Sequence, residues 1–463
     1  MTALRVAKVD LRARAALEAA LLNRRRGAES IRSLPRTPGE THLPASVSQE
    51  GMWAEIQHEP EPSPVIVGGA RLRGPLDVPA LTRAWRSVVA RHETLRTALR
   101  VEDGRLTQVI AESVELPLPV TDITIAEFAP ITWAEVDRPV ELTTGPLARL
   151  RLLRVAQDDH IALLVLHHLI GDARAIEVLV RDLGAYYLAE VTGEPARLPP
   201  LTVQYADFAA WHRNRLTGPA GAELIDYWVR RLDGATPAEL PTDLEPPAHP
   251  SARGDTLTVP IEPTCFAGMV ELAKARRTTL YIVGLAAFTV QLARYSGQRD
   301  ISVRAPVSYR DRSEVQDLIA DFSNDVIIRT DLTANPTFAE LIEAIRDQAN
   351  QDFVRHDLPP HLLAPRMADP DLLGRLFQVQ FTVEQEVAFA PRLGPVAVER
   401  LAPPWQYALR PLAVRIRYDE HGATCLGTYR TEQFSPERVR QILDDYFGVV
   451  GEMLADPNQK VTP

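Results

Sequence analysis

The chain has 463 residues, of which 45% are hydrophobic and 24% charged, and its formal net charge at neutral pH is −10. This composition excludes disordered and collagen-like proteins, and the length predicts two lobes of roughly 200 residues each. No run approaches the ~20 apolar residues of a membrane helix, the acidic body repels nucleic acid, and two cysteines are too few for a disulfide framework. We therefore expect a cytoplasmic protein without membrane or nucleic-acid partners.

The N-terminal segment differs in charge from the rest of the chain. Residues 1–36 carry nine basic and three acidic side chains, so this arm is +6 and the remainder is −16. We interpret 1–45 as a solvated basic helix, at 9–22, followed by a linker. Docking of the arm to an acidic partner is the alternative. Charged residues interrupt the place where a signal peptide needs its apolar core.

Pattern and composition divide the rest into two lobes, 46–232 and 256–463, joined by a Pro-rich linker at 233–255. Both lobes alternate strands and helices, which predicts a duplicated α/β architecture. The predicted elements, in chain order, are a helix over 78–99, strands over 148–155 and 160–168, a helix over 173–191, a strand over 255–261, two helices within 263–297 and a strand over 300–308.

Residues 161–173 read IALLVLHHLIGDA, so a buried strand ends at two histidines. Successive strand residues point to opposite faces, and only one of His167 and His168 can face a given cleft. A neutral imidazole there is suited to act as a general base, with Asp172 orienting it or forming a structural ion pair. The alternative is that these are ordinary polar residues ending a core strand. We expect no metal, because adjacent strand histidines chelate one ion poorly.

The segment HHLIGDA (167–173) resembles the His-His-x-x-x-Asp-Gly motif of the condensation domains of nonribosomal peptide synthetases, which are related to chloramphenicol acetyltransferase. The resemblance extends over about residues 46–460. Further segments that resemble family motifs, in the family's order, are SVSQEGMW (46–53), RHETLRT (91–97), YADFAAWH (205–212), VSYRDR (307–312), FSND (322–325), HDLP (356–359) and, as a strand crossing between the lobes, LFQVQFT (376–382).

The resemblance implies an α/β fold of two chloramphenicol acetyltransferase-like lobes, forming a V-shaped pseudo-dimer with a central tunnel. It implies no bound cofactor. The phosphopantetheine arm of a peptidyl carrier protein brings the acyl donor as a substrate, and a small-molecule or carrier-bound amine or alcohol accepts the acyl group. By the same resemblance His168 lies near the reacting atoms, while His167 and Asp172 are structural and Asp172 pairs with Arg310.

Two departures from the motifs concern the predicted tunnel. Ala173 replaces the motif glycine where the donor arm passes, and Asp325 follows Asn324 on the acceptor side where the family has threonine. A carboxylate there favours a cationic acceptor, and the alternative is neutral drift at a surface position. No adenylation or carrier motif occurs, so we expect a chain that works in trans or is a fragment of a longer protein, and the initiating methionine followed by a charged helix favours a freestanding enzyme. The alternatives are a coenzyme A-dependent acyltransferase or epimerising relative of the same fold, and a non-catalytic docking module.

Overall fold

The computed structural model describes residues 30–462 except 59–63, 246, 248–250, 252, 387–390 and 403–406. The predicted helix at 9–22 and most of the basic arm lie outside the described residues. Within the described ranges, none of the helices combines the length and the apolar character needed to cross a bilayer.

The strands are β1 Glu40–Pro44, β2 Val65–Arg73, β3 Thr97–Glu102, β4 Arg105–Ala111, β5 Val120–Asp122, β6 Ala148–Ala156, β7 Asp159–His167, β8 Gly254–Pro260, β9 Asp300–Ser308, β10 Ser323–Asp331, β11 Val379–Gln385, β12 Ala397–Leu401, β13 Leu412–Tyr418 and β14 Ala423–Arg430. The α-helices are α1 Val47–His58, α2 Val78–Arg91, α3 Phe128–Asp137, α4 Ala173–Thr192, α5 Tyr205–Thr217, α6 Pro219–Leu232, α7 Pro263–Ala275, α8 Leu280–Ser296, α9 Phe338–Phe353, α10 Leu372–Leu376 and α11 Pro436–Ala455.

The N-terminal lobe is built on a five-stranded sheet of order β12-β2-β7-β6-β5. Strand β7 pairs antiparallel with β2 on one side and β6 on the other, so its backbone is bonded on both edges. Its apolar residues Leu164 and Leu166 share a core with Trp85 of α2 and Val178 of α4. This packing fixes the end of β7, where the histidine pair lies.

The C-terminal lobe is built on a six-stranded sheet of order β10-β9-β11-β13-β14-β8. Helix α8 is buried along most of its length in the core of this lobe. It begins after Thr279, whose side chain accepts a hydrogen bond from the N–H of Ile282, and ends at Gly297 in the left-handed conformation. Strand β10 carries the segment of Asn324 and Asp325 on the sheet's edge.

The predicted helix over 78–99 is too long. Helix α2 ends at Arg91, because His92 leaves the helical conformation and its buried Nε2 lies 2.9 Å from a carboxylate oxygen of Asp182. The chain continues as a 3₁₀ turn and then as β3. The predicted N-terminal linker also contains structure, since its residues 40–44 form β1 and pair with β4.

The predicted crossover strand is wrong. Strand β11, which contains most of 376–382, pairs in parallel with β13 inside the C-terminal sheet. The strand that crosses to the N-terminal sheet is β12, which pairs antiparallel with β2. The other predicted strands and helices are confirmed to within one or two residues at their ends, and the two helices predicted within 263–297 are α7 and α8, separated at 276–279.

Candidate active site

The histidine pair stands where β7 ends and a 3₁₀ turn, His168–Ile170, begins. The backbone N–H of His168 donates to the carbonyl of Pro64, 2.8 Å away, which holds this junction against the start of β2. His167 is fully buried, whereas 24% of the His168 side chain is exposed. The two rings therefore have different surroundings although the residues are adjacent.

His167 is a structural residue by its contacts. Its Nδ1 accepts a hydrogen bond from the N–H of Leu169, at 3.1 Å, and so caps the 3₁₀ turn. Burial, followed by the charges of His168 and Arg149, lowers the pKa of His167 to about 3. The ring is neutral at physiological pH.

His168 faces a carboxylate that belongs to the other lobe. Its Nδ1 lies 3.4 Å from Oδ2 of Asp321. Burial opposes the charged form of His168 most strongly, but the negative charges of Asp321 and Asp172 outweigh burial, so the pKa of His168 is raised above its ordinary value. The buried Nδ1 has no partner with hydrogen-bond geometry among the described residues, so its contact with Asp321 is electrostatic. Because 24% of the side chain is exposed while Nδ1 is buried, we infer that the exposed part of the ring includes Nε2. Nε2 is thus the nitrogen available to a substrate.

The expected ion pair between Asp172 and Arg310 is present. Arg310 Nη2 is 3.1 Å from Oδ1 of Asp172, and Nε is 3.3 Å from Oδ2. The same carboxylate caps α4 by accepting a hydrogen bond from the N–H of Ala175 at 2.7 Å. Both charged side chains are at least nine-tenths buried. The pair therefore joins the start of α4 in one lobe to the chain after β9 in the other.

Arg310 also shapes the loop that carries Asp321. Its guanidinium lies 4.4 Å from the centre of the Phe322 ring, and the N–H of Phe322 donates to Oδ2 of Asp172 at 3.1 Å. The carbonyl oxygens that accept hydrogen bonds from Arg310, at 2.9 to 3.1 Å, belong to Val315, Leu318 and Ala320. The Asp172–Arg310 pair thus sets the position of Asp321 next to His168 without touching the ring itself.

The other motifs brace this arrangement. Gln49 of α1 donates from Nε2 to the carbonyl of Leu169, 2.9 Å away, in the turn after the histidines. Thr94, in the RHETLRT segment, donates from its hydroxyl to the carbonyl of Ile319, at 2.5 Å, in the loop of the opposite lobe. Two of the segments that carry the resemblance therefore form contacts that hold the turn after His168 and the loop before Asp321 in place.

Asn324, which the resemblance places on the acceptor side, is buried and structural, since its Nδ2 donates to the carbonyls of His356 and Leu358 at 2.6 and 3.1 Å. The carboxylate of Asp325 lies 2.7 Å from Nη2 of Arg304. Arg304 thus offsets the charge of this carboxylate, and the expectation that Asp325 favours a cationic acceptor stays a prediction. Ala173 is the exposed first residue of α4, and its place in a donor tunnel stays a prediction.

One group of possible metal ligands occurs among the described residues. Donor atoms of Asp311, His356 and Asp357 lie within 4.8 Å of one another. A guanidinium nitrogen of Arg215 is 3.1 Å from a carboxylate oxygen of Asp357, and such a cation competes with a metal for that oxygen. We assign no metal to this group, and the expectation of no metal stays a prediction.

The sequence motifs do not identify Asp321. It directly precedes the FSND segment, and this fixed position next to a motif is the signal that could have drawn attention to it. Its proximity to His168 depends on how the two lobes pack, which no local pattern encodes.

The two lobes and the histidine pair between them define a protein with an acyltransferase-like fold, and comparison with known proteins supports this class. The family model for the condensation domain matches residues 39–463. The chain is 32% identical over 463 residues to one component of the linear gramicidin synthase of Brevibacillus parabrevis, covering 97% of this chain and 6% of that protein. It is 33% identical over 364 residues to phosphinothricin tripeptide synthetase PhsC of Streptomyces viridochromogenes, covering 76% and 34%. It thus spans a small part of these relatives.

Solved structures confirm the fold class. The X-domain in its complex with OxyB from teicoplanin biosynthesis has a TM-score of 0.86 at 24% identity, covering 94% of this chain and 97% of the other. SgcC5 from Streptomyces globisporus, solved with a naphthyl ethanediol and sucrose, has a TM-score of 0.72 at 26% identity, covering 90% and 100%. The chain belongs to the condensation-domain family.

Proposed function

We propose that this chain transfers an acyl or aminoacyl group from the phosphopantetheine thioester of a peptidyl carrier protein to an amine or alcohol, forming an amide or an ester. The observation that carries the proposal is the accessible Nε2 of His168, on a ring that is fixed at the junction of the two lobes. Membership of the condensation-domain family and the peptide synthetases among its relatives support this class of reaction.

The chemistry requires little from the protein beyond positioning and one base. A thioester is already activated, so the acceptor attacks it directly and no serine or cysteine nucleophile is needed. Nε2 of His168 takes the proton of the acceptor, a contribution of ~10²–10⁴-fold, and the two lobes hold donor and acceptor together. The phosphopantetheine arm enters as part of the substrate and not as a bound cofactor.

A docking role is the second candidate. One structure of similar fold is an X-domain solved together with another protein, OxyB. Docking alone makes no use of an imidazole whose Nε2 is accessible and whose ring is braced by buried ion pairs. Catalysis accounts for that arrangement, and we favour it.

The donor distinguishes the candidates. We expect product when a panel of aminoacyl groups is offered on a peptidyl carrier protein together with small amines and alcohols, with product mass as the readout. The control offers the same groups on coenzyme A. Equal turnover of the coenzyme A thioesters would replace the carrier-dependent proposal by a coenzyme A-dependent one, and absence of product from either donor would favour docking.

A further inference from the structure

A carboxylate stands directly behind the accessible imidazole. Asp321 is 4% exposed, and its Oδ1 accepts hydrogen bonds from the backbone N–H of Ser323, at 2.9 Å, and from the Ser323 hydroxyl, at 2.6 Å. These two bonds fix the carboxylate so that Oδ2 faces Nδ1 of His168 at 3.4 Å. The contact lacks hydrogen-bond geometry, so the carboxylate acts on the ring through its charge. A fixed negative charge on the Nδ1 side favours the tautomer with a proton on Nδ1 and leaves the lone pair on Nε2.

The other charged and titratable groups near this ring are already engaged. Both oxygens of Asp172 are bound by Arg310, and they accept further hydrogen bonds from backbone N–H groups. His167, on the other side of the chain, is neutral because burial lowers its pKa to about 3. Asp321 forms no ion pair with an arginine or lysine in the described part of the chain. Its negative charge is therefore directed to His168.

We propose that Asp321 and His168 act as a carboxylate–imidazole pair in which Asp321 is the positioning residue, and that this pair suits the site to an acceptor that attacks through a hydroxyl group. The hydroxyl preference rests on the proposed function, whereas the contact between Asp321 and His168 does not. An amine attacks through a neutral lone pair and loses its proton afterwards. A hydroxyl is a weak nucleophile until a base begins to remove its proton, so it gains more from a base that a carboxylate stabilises when charged.

The step balances without any further reactant. The hydroxyl oxygen forms a bond to the thioester carbonyl carbon while its proton passes to Nε2 of His168. Asp321 stabilises the imidazolium that results, as a carboxylate does for the histidine of a serine-protease triad. Collapse of the tetrahedral intermediate breaks the carbon–sulfur bond, and the imidazolium returns the proton to the sulfur. The products are an ester and the free thiol of the carrier arm.

The pair is tested without any substrate. In protein labelled with ¹³C in the histidine rings, the signal that is absent from His168→Gln identifies His168, and its titration gives its pKa. We expect the midpoint in Asp321→Asn to lie below that of the unmodified protein, because the carboxylate that favours the charged ring is gone. Asp317→Asn is the matched control, since Asp317 lies in the same loop but pairs with Arg181. The titration midpoint of His168 should be unchanged in this variant. An unchanged midpoint in Asp321→Asn would overturn the pair.

The acceptor class is tested by paired probes with one carrier-bound donor, 2-phenylethanol and 2-phenylethylamine. Asp321→Asn should lower kcat/KM for the alcohol at least ~10-fold more than for the amine, and should move the acidic limb of the pH profile to lower pH. Asp321→Glu should restore part of the alcohol activity. Equal losses for both acceptors, or no ester from either protein, would overturn the hydroxyl preference. Failure of all transfer would contradict the proposed function, while the titration would still decide the pair.

Discussion

Two adjacent histidines have opposite properties because they lie on opposite sides of one backbone. His167 points into the core, where burial lowers its pKa to about 3, and it serves as a cap. His168 meets Asp321, and the balance of burial against that charge raises its pKa. Since a general base must be neutral, activity that depends on His168 should rise with pH through a value above the ordinary 6.5 of histidine and should be lost as the pH falls.

The ion pair between Asp172 and Arg310 gives a stability prediction. Asp172→Ala leaves a buried guanidinium without its carboxylate, which should cost about 3–5 kcal/mol in the free energy of unfolding. Urea unfolding measures this change. Glu399→Ala is the matched control, because Glu399 pairs with Arg73 at a site where the two side chains are 65% and 52% exposed, and its loss should cost under about 1 kcal/mol.

Similar unfolding midpoints for the two variants would contradict this account of Asp172. They would show that solvent or a rearranged loop stabilises the charge of Arg310 as readily as water stabilises the charge of an exposed arginine. The hydrogen bonds from Arg310 to the carbonyls of the Asp321 loop give a second expectation, that Asp172→Ala also lowers activity.

At the scale of elements, the sequence predicts the strands and helices that have a clear apolar periodicity. The apolar run of β7 and the helical spacing of α4 are strong patterns, and both elements lie where they were expected. The predicted end of α2 is wrong because Leu95, Ala98 and Leu99 are also buried, so the apolar pattern continues after the backbone has left the helix. Strand β12 was missed because it is short and largely exposed, and has no apolar run to mark it.

The candidate site also has one contact that the sequence predicts and others that it does not. The sequence predicts the pairing of Asp172 with Arg310 because each falls in a segment that resembles a family motif. Asp321 and the partner of Asp325 could not be predicted, since both depend on side chains that meet only after the sheets have formed.

The crossing strand β12 can be tested through one glycine. A Cβ at Gly69 of β2 would lie 2.6 Å from the carbonyl oxygen of Leu401, its partner in β12, so one backbone must move. We expect Gly69→Ala to lower the free energy of unfolding by about 1–3 kcal/mol in urea denaturation. Gly374→Ala in α10 is the control, because no atom lies within 4 Å of its Cβ and alanine favours a helix. If Gly69→Ala were as stable as the control, the backbone of β12 would be able to shift at little cost in free energy.

At the scale of the whole molecule, the candidate site is shared between the lobes. The N-terminal lobe supplies His167, His168 and Asp172, and the C-terminal lobe supplies Arg310 and Asp321. A separate apolar cluster lies at their junction, and its members from the two lobes are Ile31, Val203, Tyr205, Phe208, Tyr309, Val315, Leu318, Ala320 and Phe322. Neither lobe contains a complete site, so relative movement of the lobes changes the distance between His168 and its carboxylate.

The measurement that tests the central claim most directly is the turnover of His168→Ala with a carrier-bound donor and an acceptor that the unmodified protein uses. We predict a loss of about 10²-fold or more in kcat, with an unfolding midpoint close to that of the unmodified protein, because Nε2 is the base in the proposed reaction. A folded His168→Ala protein that keeps nearly full activity would contradict the assignment of His168 as the base of this condensation-domain protein.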